Sequence, residues 1–240
     1  MKLEEFSKYL SDYGEKIGLK FSKKQEEQFF KYMNLLIEWN EKINLTAIVE
    51  PKEIILKHFI DSLTINKYIE KASSIVDVGT GAGFPGIPLL IYRDDIKVTL
   101  VDSLNKRLIF LQEVINQLDL KNVKVIHSRV EDFGKNKNYR EKFDIATSRA
   151  VANLATLSEY LVPLVKISGK IISMKASNAK EEINDAQKAI EVLGGKIEKI
   201  EEFDLPESDI GRTIIIIDKN KCTPAIYPRK AGTPAKEPIK

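Results

Sequence analysis

Four glycines lie within eight residues, directly after an apolar run that ends at an acid. They occupy positions 79, 81, 83 and 86 of the stretch SSIVDVGTGAGFPGIPLLI, residues 73–91. Glycine adopts positive φ angles without steric cost and lets the backbone approach a ligand closely. A plain turn needs only one or two glycines, so the sequence predicts a loop that holds a ligand. The segment GAGFPG also satisfies the dinucleotide pattern G-x-G-x-x-G, a match that is weak by itself.

Two acids flank this loop. Asp102 closes the next predicted strand, 23 residues after Gly79. A carboxylate there can accept hydrogen bonds from both hydroxyls of a ribose, and it can also cap the following helix. The glycine loop and Asp102 together predict a nucleoside-containing ligand, either NAD or S-adenosylmethionine. Asp77 precedes the loop, where it could balance the ammonium of a methionine or organise the loop through backbone N–H groups.

From residue 73 onward, short β-branched runs alternate with amphipathic helical stretches such as 103–120 and 178–195. The runs are SIVDVG, KVTLVD, VKVIHS, FDIATS, KIISMK, KIEKIEEF and TIIIIDK. This alternation predicts an α/β fold with a mostly parallel, twisted sheet and helices on both faces. The glycine loop would then lie in the ligand crevice at the carboxyl end of the first strand. The short link DLPESDIGR between the last two runs predicts a hairpin with one antiparallel strand.

The chain divides into three predicted regions. Residues 1–70 form an N-terminal helical extension, in which Ser22 with Gln25 makes a capping box and Pro51 suits a first helical turn. Residues 71–220 form the α/β domain. Residues 221–240 contain four prolines and predict an extended arm that is neither helix nor central strand.

Composition narrows the class of protein. Of 240 residues, 43% are hydrophobic and 30% charged, and no apolar run approaches the roughly 20 residues that span a bilayer. The N-terminus lacks the apolar core of a signal peptide, and the single cysteine, Cys222, cannot form an internal disulfide. These features favour a cytoplasmic protein. No cluster of Cys and His residues predicts a metal site.

The net charge is +3, and it is distributed unevenly. Six Lys and Arg residues but only one acid lie between 219 and 240. A basic arm on a near-neutral body predicts an anionic partner at one edge of the molecule. A solvated terminus without any partner is an equally good interpretation of the charge alone.

Several segments together resemble a known family. The stretch DVGTGAGFPGIPL resembles the glycine loop of class I, Rossmann-like S-adenosylmethionine methyltransferases. Its Phe84–Pro85–Gly86 is similar to the RsmG (GidB) family, bacterial 16S rRNA guanine-N7 methyltransferases. Further segments agree in order: WNEKINLTAI (39–48), HFIDSL (58–63), SRVEDF (128–133), FDIATSRAVANL (143–154) and YPRKAGTPAKEPI (227–239). The resemblance implies S-adenosylmethionine as cofactor and 16S rRNA or the small ribosomal subunit as partner. We expect a monomer, although the sequence itself does not show the oligomeric state.

The resemblance also implies the cofactor contacts. They are Gly79, Gly81, Gly83, Phe84, Asp102, Val130, Glu131 and Arg149. Asp102 would hold the ribose, and Val130 with Glu131 would frame the adenine. Arg149 would border the reaction site and is the catalytic candidate. From the residues alone, Glu131 could be an exposed loop acid and Arg149 could form a surface ion pair.

The chemistry implied by the resemblance needs few groups. Guanine N7 has an in-plane lone pair and no proton, so its methylation requires no general base, only placement and a suitable electrostatic surface. Amino-group methyltransferases use an Asp/Asn-Pro-Pro-aromatic motif, whereas this chain reads TSRAVANL after the fourth strand and contains no Pro-Pro. Cys222 lies far from the expected crevice. His58 is interpreted as a packed core residue and His127 as structural.

RNA contacts are predicted mainly in the arm. Arg229 and Lys230 would grip phosphate beside Tyr227, and Lys175 is a weaker candidate. Neutralising Arg229 and Lys230 is expected to weaken rRNA methylation while cofactor affinity stays intact. Three other functions remain open from the residues: a small-molecule methyltransferase, an NAD-linked oxidoreductase and a catalytically silent RNA-binding module.

Overall fold

A seven-stranded sheet forms the centre of the molecule. The computed structural model describes residues 1–177 and 179–240. The strands are β1 (Ser74–Val78), β2 (Lys97–Asp102), β3 (Val123–His127), β4 (Phe143–Arg149), β5 (Val165–Ala176), β6 (Gly195–Asp204) and β7 (Gly211–Lys219). Their order is β3-β2-β1-β4-β5-β7-β6, and β7 alone runs antiparallel to its neighbours β5 and β6. The predicted α/β sheet and terminal hairpin are confirmed.

Ten α-helical segments accompany the sheet in the described residues. They are α1 (Leu3–Lys16), α2 (Lys23–Ile43), α3 (Pro51–Ile54), α4 (Asp61–Leu63), α5 (Gly86–Tyr92), α6 (Asn105–Gln117), α7 (Val130–Lys135), α8 (Leu154–Leu161), α9 (Lys180–Val192) and α10 (Thr233–Lys236). A π-helical segment, Ile55–Ile60, joins α3 to α4, and short 3₁₀ turns span Asn66–Tyr68 and Val162–Leu164. The predicted helix 178–195 begins at Asn178, which lies outside the described residues.

The N-terminal helices begin where local sequence signals place them. The Ser22 hydroxyl accepts a hydrogen bond from the Gln25 backbone N–H, and the Gln25 side chain accepts one from the Ser22 N–H at 2.8 Å. This reciprocal box satisfies two N–H groups that have no partner within the helix. Pro51 is the first residue of α3. The predicted capping box and proline position are both confirmed.

Helices cover both faces of the sheet, and the strand residues alternate between the two layers. Ile214 and Ile216 of β7 pack into the layer that contains α1, α2, α5 and α6. Ile215 and Ile217 face the opposite layer, formed by α7, α8 and α9. This period of two follows from the pleat of a strand. The N-terminal helices therefore contribute to the same apolar layer as the first two helices of the α/β region.

The C-terminal region differs from the predicted extended arm. It folds back onto the body and contains the short helix α10. The Arg140 guanidinium donates hydrogen bonds to the carbonyl oxygens of Thr223, at 2.8 Å, and Tyr227, at 2.6 Å. These bonds satisfy the backbone of a proline-rich segment that cannot join the sheet. The prolines thus exclude sheet pairing, but they leave the segment able to dock through side chains of the body.

Two classes of feature are not found in the part of the chain that the structure describes. None of its helices combines the length and the apolar character needed to cross a bilayer. Groups of three or more His, Cys, Asp or Glu side chains close enough to hold a metal ion are likewise absent from residues 1–177 and 179–240.

Candidate cofactor and reaction site

A cleft of about 700 Å³ lies at the carboxyl ends of the central strands. The loop after β1, the end of β2, the start of α7 and the end of β4 form its walls. Leu45, Thr46 and His58 add a wall from the N-terminal helical region. The position agrees with the prediction, because the open crevice of a parallel sheet lies where its strands end.

The glycine loop has the backbone geometry that its sequence predicts. Gly79 has φ +64°, and a Cβ atom there would lie 2.6 Å from Cγ2 of Val151. A side chain at this position is therefore excluded by both backbone conformation and space. The Gly79 N–H donates to the carbonyl of Val101 at 2.8 Å, and the Gly81 N–H donates to Oδ2 of Asp102 at 3.0 Å. Gly79, Gly81 and Phe84 all line the cleft.

Gly83, which is also predicted as a cofactor contact, lies outside the lining of the cleft. Its φ is +101°, and an added Cβ would lie 2.6 Å from Ile87 and 2.8 Å from the hydroxyl of Tyr32. The glycine is needed because the loop packs tightly against α2 and α5. A G-x-G-x-x-G pattern does not distinguish a glycine that faces the ligand from one that faces the core.

Asp77 organises the loop from within the core. Its Oδ2 accepts hydrogen bonds from the Thr80 hydroxyl at 2.7 Å and from the Gly86 N–H at 2.9 Å. Its Oδ1 is buried and has no partner in the described structure. Burial raises the pKa of Asp77 to about 6. Because Asp77 takes the first N–H of α5, the alternative of loop organisation describes this acid better than direct contact with a cofactor.

Asp102 links the second strand to the loop and to the next helix. Its Oδ1 accepts from the Leu104 N–H at 2.9 Å, and its Oδ2 accepts from the Gly81 N–H and from the Arg107 guanidinium at 3.3 Å. A carboxylate has about four lone-pair positions, so the three bonds leave capacity for a ligand hydroxyl. Asp102 lines the cleft and serves the turn before α6 as well.

Val130 and Glu131 open α7 on the other side of the cleft, and both line it. Glu131 is only 6% exposed. Its Oε1 accepts a hydrogen bond from the Gly232 N–H of the C-terminal region at 2.8 Å. The alternative of an exposed loop acid is therefore wrong. The C-terminal residue that bonds this acid lies 101 residues away in sequence.

Arg149 ends β4 at the cleft, where it is tied to the N-terminal helical region. Its Nη1 donates to the carbonyl of Lys57 at 3.0 Å and to Oδ2 of Asp61 at 3.2 Å. Its guanidinium carbon lies 4.9 Å from the centre of the Phe84 ring. Asp61 is buried and also accepts from Nε of Arg212 at 3.0 Å. The alternative of a surface ion pair is wrong, since Arg149 pairs with a buried acid.

His58 lies beside Arg149 and lines the cleft, so its interpretation as a packed core residue is incomplete. Its ring stacks on Phe84 with centroids 4.4 Å apart. Nδ1 lies 3.2 Å from Nη2 of Arg149, which can only donate, so Nδ1 accepts and Nε2 carries the proton. Nε2 then donates to the Thr46 hydroxyl at 2.9 Å. Burial lowers the pKa of His58 to about 3, which keeps the ring neutral.

The four predicted RNA contacts occupy different surroundings. Arg229 is bonded to the buried carboxylate of Glu159, and the Lys175 ammonium donates to Glu182 and to the carbonyl of Ala152. Lys230 is exposed. Tyr227 is half-buried and packs against the apolar layer of α7 to α9. Lys230 is therefore exposed to solvent, whereas Arg229 and Lys175 already have acidic partners on the body.

Sequence reasoning missed several contributors to the cleft. Tyr32 of α2 donates its hydroxyl proton to the carbonyl of Ala82 in the glycine loop. Asn40 accepts hydrogen bonds from the N–H groups of Leu45, at 2.6 Å, and Thr46, at 2.8 Å, which places Thr46 at the cleft. The segments WNEKINLTAI and HFIDSL contained a signal for this wall of the cleft, because they hold polar residues among apolar helix positions.

Comparison with known structures supports the fold. A SAM dependent methyltransferase from Aquifex aeolicus superposes with a TM-score of 0.52 at 18% identity, covering 70% of this chain and 93% of that one. A predicted O-methyltransferase from Agrobacterium tumefaciens gives 0.54 at 15% identity, covering 68% and 80%. At such identities the similarity shows the Rossmann-like methyltransferase fold alone.

Comparison of sequences is more specific. Three proteins named ribosomal RNA small subunit methyltransferase G are similar to this chain. The one from Desulforamulus reducens is 58% identical over 213 residues, 88% of this chain and 89% of that protein. Those from Clostridium perfringens and Acetivibrio thermocellus are 53% and 52% identical, covering 93% and 92% of this chain and 95% and 92% of theirs. The family model for GidB, rRNA small subunit methyltransferase G, matches residues 25–210, and the chain therefore belongs to this family.

Proposed function

We propose that this protein transfers a methyl group from S-adenosylmethionine to N7 of one guanine in 16S rRNA of the small ribosomal subunit. One observation supports this function above the others. A chain that matches the small-subunit rRNA methyltransferase family over residues 25–210 has a nucleoside-sized cleft at the carboxyl ends of its strands, with a glycine loop and Asp102 inside it.

The residues of the cleft fit this cofactor. Asp102 retains acceptor capacity for the ribose hydroxyls after bonding Gly81, Leu104 and Arg107. Gly79 and Gly81 present backbone without side chains on the methionine side, and Phe84 lies beside them. Val130 and Glu131 would frame the adenine from α7. When bound, S-adenosylmethionine supplies an electrophilic methyl group on a sulfonium.

The chain's own contribution to the reaction is placement and charge. No residue has to take a proton, because guanine N7 attacks through a lone pair. His58 agrees with this, since it is held neutral and bonded on both ring nitrogens. Arg149 uses three of the five guanidinium N–H groups on Lys57, Asp61 and His58, and two remain for acceptor atoms of the substrate. We therefore assign Arg149 to the border of the reaction site.

For RNA binding, we propose Lys230 as the phosphate contact, with Tyr227 beside it. Lys230 is exposed, whereas Arg229 and Lys175 are bound to acids. In this proposal Arg229, which is bonded to Glu159, supports the surface rather than touching phosphate, so the expectation of unchanged cofactor affinity now applies to Lys230 alone. We further expect the enzyme to be monomeric and cytoplasmic. We also expect it to act without a metal, because the attacking N7 needs no activation.

The test incubates the protein with radiolabelled S-adenosylmethionine and either assembled small subunits or deproteinised 16S rRNA. Label at a single guanine N7, detected by alkali-labile strand scission, is the expected result, and the better substrate identifies the partner. Asp102→Ala should lower cofactor affinity by at least tenfold, because it removes a charged hydrogen-bond partner. Asp119→Ala, at an exposed acid beyond α6, is its control. Cofactor binding without label in either RNA would instead favour a small-molecule acceptor.

A further inference from the structure

The C-terminal region reaches the adenine side of the cleft through one hydrogen bond. The Gly232 N–H donates to Oε1 of Glu131 at 2.8 Å. Glu131 is buried yet lines the cleft, and no hydrogen bond to its Oε2 is present in the described part of the chain. One oxygen of this carboxylate is thus held by the C-terminal region while the other is available to a ligand.

The segment around Gly232 is anchored firmly on either side. Arg229 donates from its backbone N–H at 2.7 Å, from Nε at 3.0 Å and from Nη2 at 2.7 Å to the carboxylate of Glu159, which is fully buried on α8. Its Nη2 also donates to the carbonyl of Glu237 at 2.7 Å. Beyond Gly232, the Thr156 hydroxyl donates to the carbonyl of Pro234 at 3.0 Å. Charge-assisted, multidentate bonds of this kind fix orientation as well as position.

Gly232 has a backbone that suits this geometry. Its φ is +84°, a conformation that L side chains rarely adopt, although nothing lies within 4 Å of an added Cβ. The glycine is therefore explained by conformation and not by lack of space. The left-handed turn directs the Gly232 N–H to Glu131, immediately before α10 begins.

We propose that the segment Arg229–Glu237 positions Glu131 for the cofactor, with Arg229 as a positioning residue that acts through Gly232. This inference rests on the proposed function, in which Glu131 reads the adenine edge. The adenine amino group is a donor, and the Oε2 of an oriented carboxylate can accept from it. Without the Gly232 N–H, a buried carboxylate loses its partner and its fixed direction.

The principal test is a double-mutant cycle on S-adenosylmethionine affinity, measured by calorimetry without RNA. Arg229→Gln should weaken binding roughly tenfold, as expected when the outer partner of a ligand-binding group is lost. In a Glu131→Ala background the same change should have no further effect, because its route to the cofactor is gone. Lys221→Gln removes one positive charge from an exposed position outside this segment and outside the cleft lining, and it should leave affinity unchanged.

A second variant guards against a folding defect, because Arg229→Gln leaves Glu159 buried without its partner. Gly232→Val keeps the Arg229–Glu159 pair and has open space around its Cβ, but it disfavours the φ of +84° that directs the Gly232 N–H to Glu131. It should weaken cofactor binding to a similar degree. Amide hydrogen exchange gives an independent measure. S-adenosylmethionine should slow exchange across residues 229–237 in the native protein but not in Glu131→Ala, since coupling between sites is reciprocal.

The outcomes separate the inference from the function on which it rests. Native protein that does not bind S-adenosylmethionine would overturn both. Normal binding by Glu131→Ala or by Gly232→Val would overturn the inference and leave the methyltransferase function intact. Equal losses from Arg229→Gln in the native and Glu131→Ala backgrounds would also overturn it, because the arm would then act on stability alone.

Discussion

His58 connects the cofactor cleft to a chain of buried polar groups. Arg149 donates to its Nδ1, and its Nε2 donates to Thr46. Each bond fixes the direction of the next, so the ring has one tautomer and one charge state. A histidine with both nitrogens committed and a low pKa is a poor proton acceptor. Through its contacts with Phe84 and Arg149, the ring instead helps to hold these two side chains in position, and an attack by guanine N7 requires such placement.

The charge state of His58 leads to a prediction about pH. The folded pKa of about 3 lies below the unfolded value of about 6.5, so the unfolded state binds more protons between these limits. The stabilisation is therefore complete above about pH 6.5 and is lost as pH falls through the folded pKa. Between pH 7 and pH 4.5, the native protein should lose about 2–3 kcal/mol relative to His58→Gln, which keeps a donor and an acceptor without titrating.

Urea unfolding at both pH values measures this difference. The comparison with His58→Gln isolates the histidine, because Asp77 acts in the opposite direction and is present in both proteins. The raised pKa of Asp77 makes the fold bind more protons than the unfolded chain between about 3.8 and 6, so its contribution falls as pH rises. A stability difference that stays constant with pH would contradict a neutral, buried His58.

At the scale of elements, α2 packs against the glycine loop and supports it through Tyr32. Tyr32 is buried on α2, bonds the carbonyl of Ala82 and packs against Phe59, Phe84 and Phe110. The N-terminal helices thus contribute to the loop as well as to the wall of the cleft formed by Thr46 and His58. Elements outside the sheet therefore hold the loop in place, because buried aromatic contacts resist displacement.

Tyr32→Phe tests this support with a single atom. It should cost about 1–2 kcal/mol in the free energy of unfolding, since the Ala82 carbonyl loses its buried donor. It should also weaken binding of S-adenosylmethionine, because the loop loses one of its fixed points. Urea unfolding and calorimetry measure the two effects.

Tyr9→Phe on α1 is the matched control for Tyr32→Phe. Tyr9 is half-buried and stacks on Tyr13, and it lies outside the lining of the cleft. Its replacement should leave cofactor affinity unchanged. If Tyr32→Phe alters stability but not affinity, α2 is a scaffold for the fold and not for the loop.

At the scale of the whole molecule, positive charge is concentrated in the C-terminal region, which the fold places next to the cleft through Gly232 and Glu131. Lys230 lies two residues before the Gly232–Glu131 contact, and we expect its ammonium to meet the RNA backbone there. An extended, solvated arm could reach many positions, whereas we expect the docked arm to offer RNA a defined surface. Docking reduces the entropy lost when RNA binds.

Lys230→Gln tests the RNA surface. It should weaken rRNA binding and reduce the slope of log affinity against log salt concentration by about 1, as expected for one lost phosphate contact. S-adenosylmethionine affinity should not change, because the Lys230 side chain is exposed and absent from the cleft lining. Filter binding at several salt concentrations measures the slope.

Lys121→Gln provides the control for the salt experiment. Lys121 precedes β3 and so lies at the amino-terminal edge of the sheet, opposite the cleft. The Lys121→Gln variant removes the same charge from the other end of the molecule. A salt slope reduced equally by both variants would assign the effect to net charge and would contradict a phosphate contact at Lys230.

Local patterns in the sequence determined the elements of this protein and the location of its cleft. The strand–helix alternation, the capping box at Ser22 and the glycine loop before Asp102 were predicted because each depends on residues that are close in sequence. Membership of the methyltransferase family was likewise predicted from short segments, and it is confirmed.

Only the tertiary structure decided which polar groups are partners. Arg229 bonds Glu159 across 70 residues, Gly232 bonds Glu131 across 101, and Arg212 bonds Asp61 across 151. No periodicity encodes such pairs, because each depends on where the folded backbone brings two distant side chains. For the same reason, the sequence showed a basic arm and a buried histidine, but it did not show that the arm docks at the cleft or that the histidine lines it.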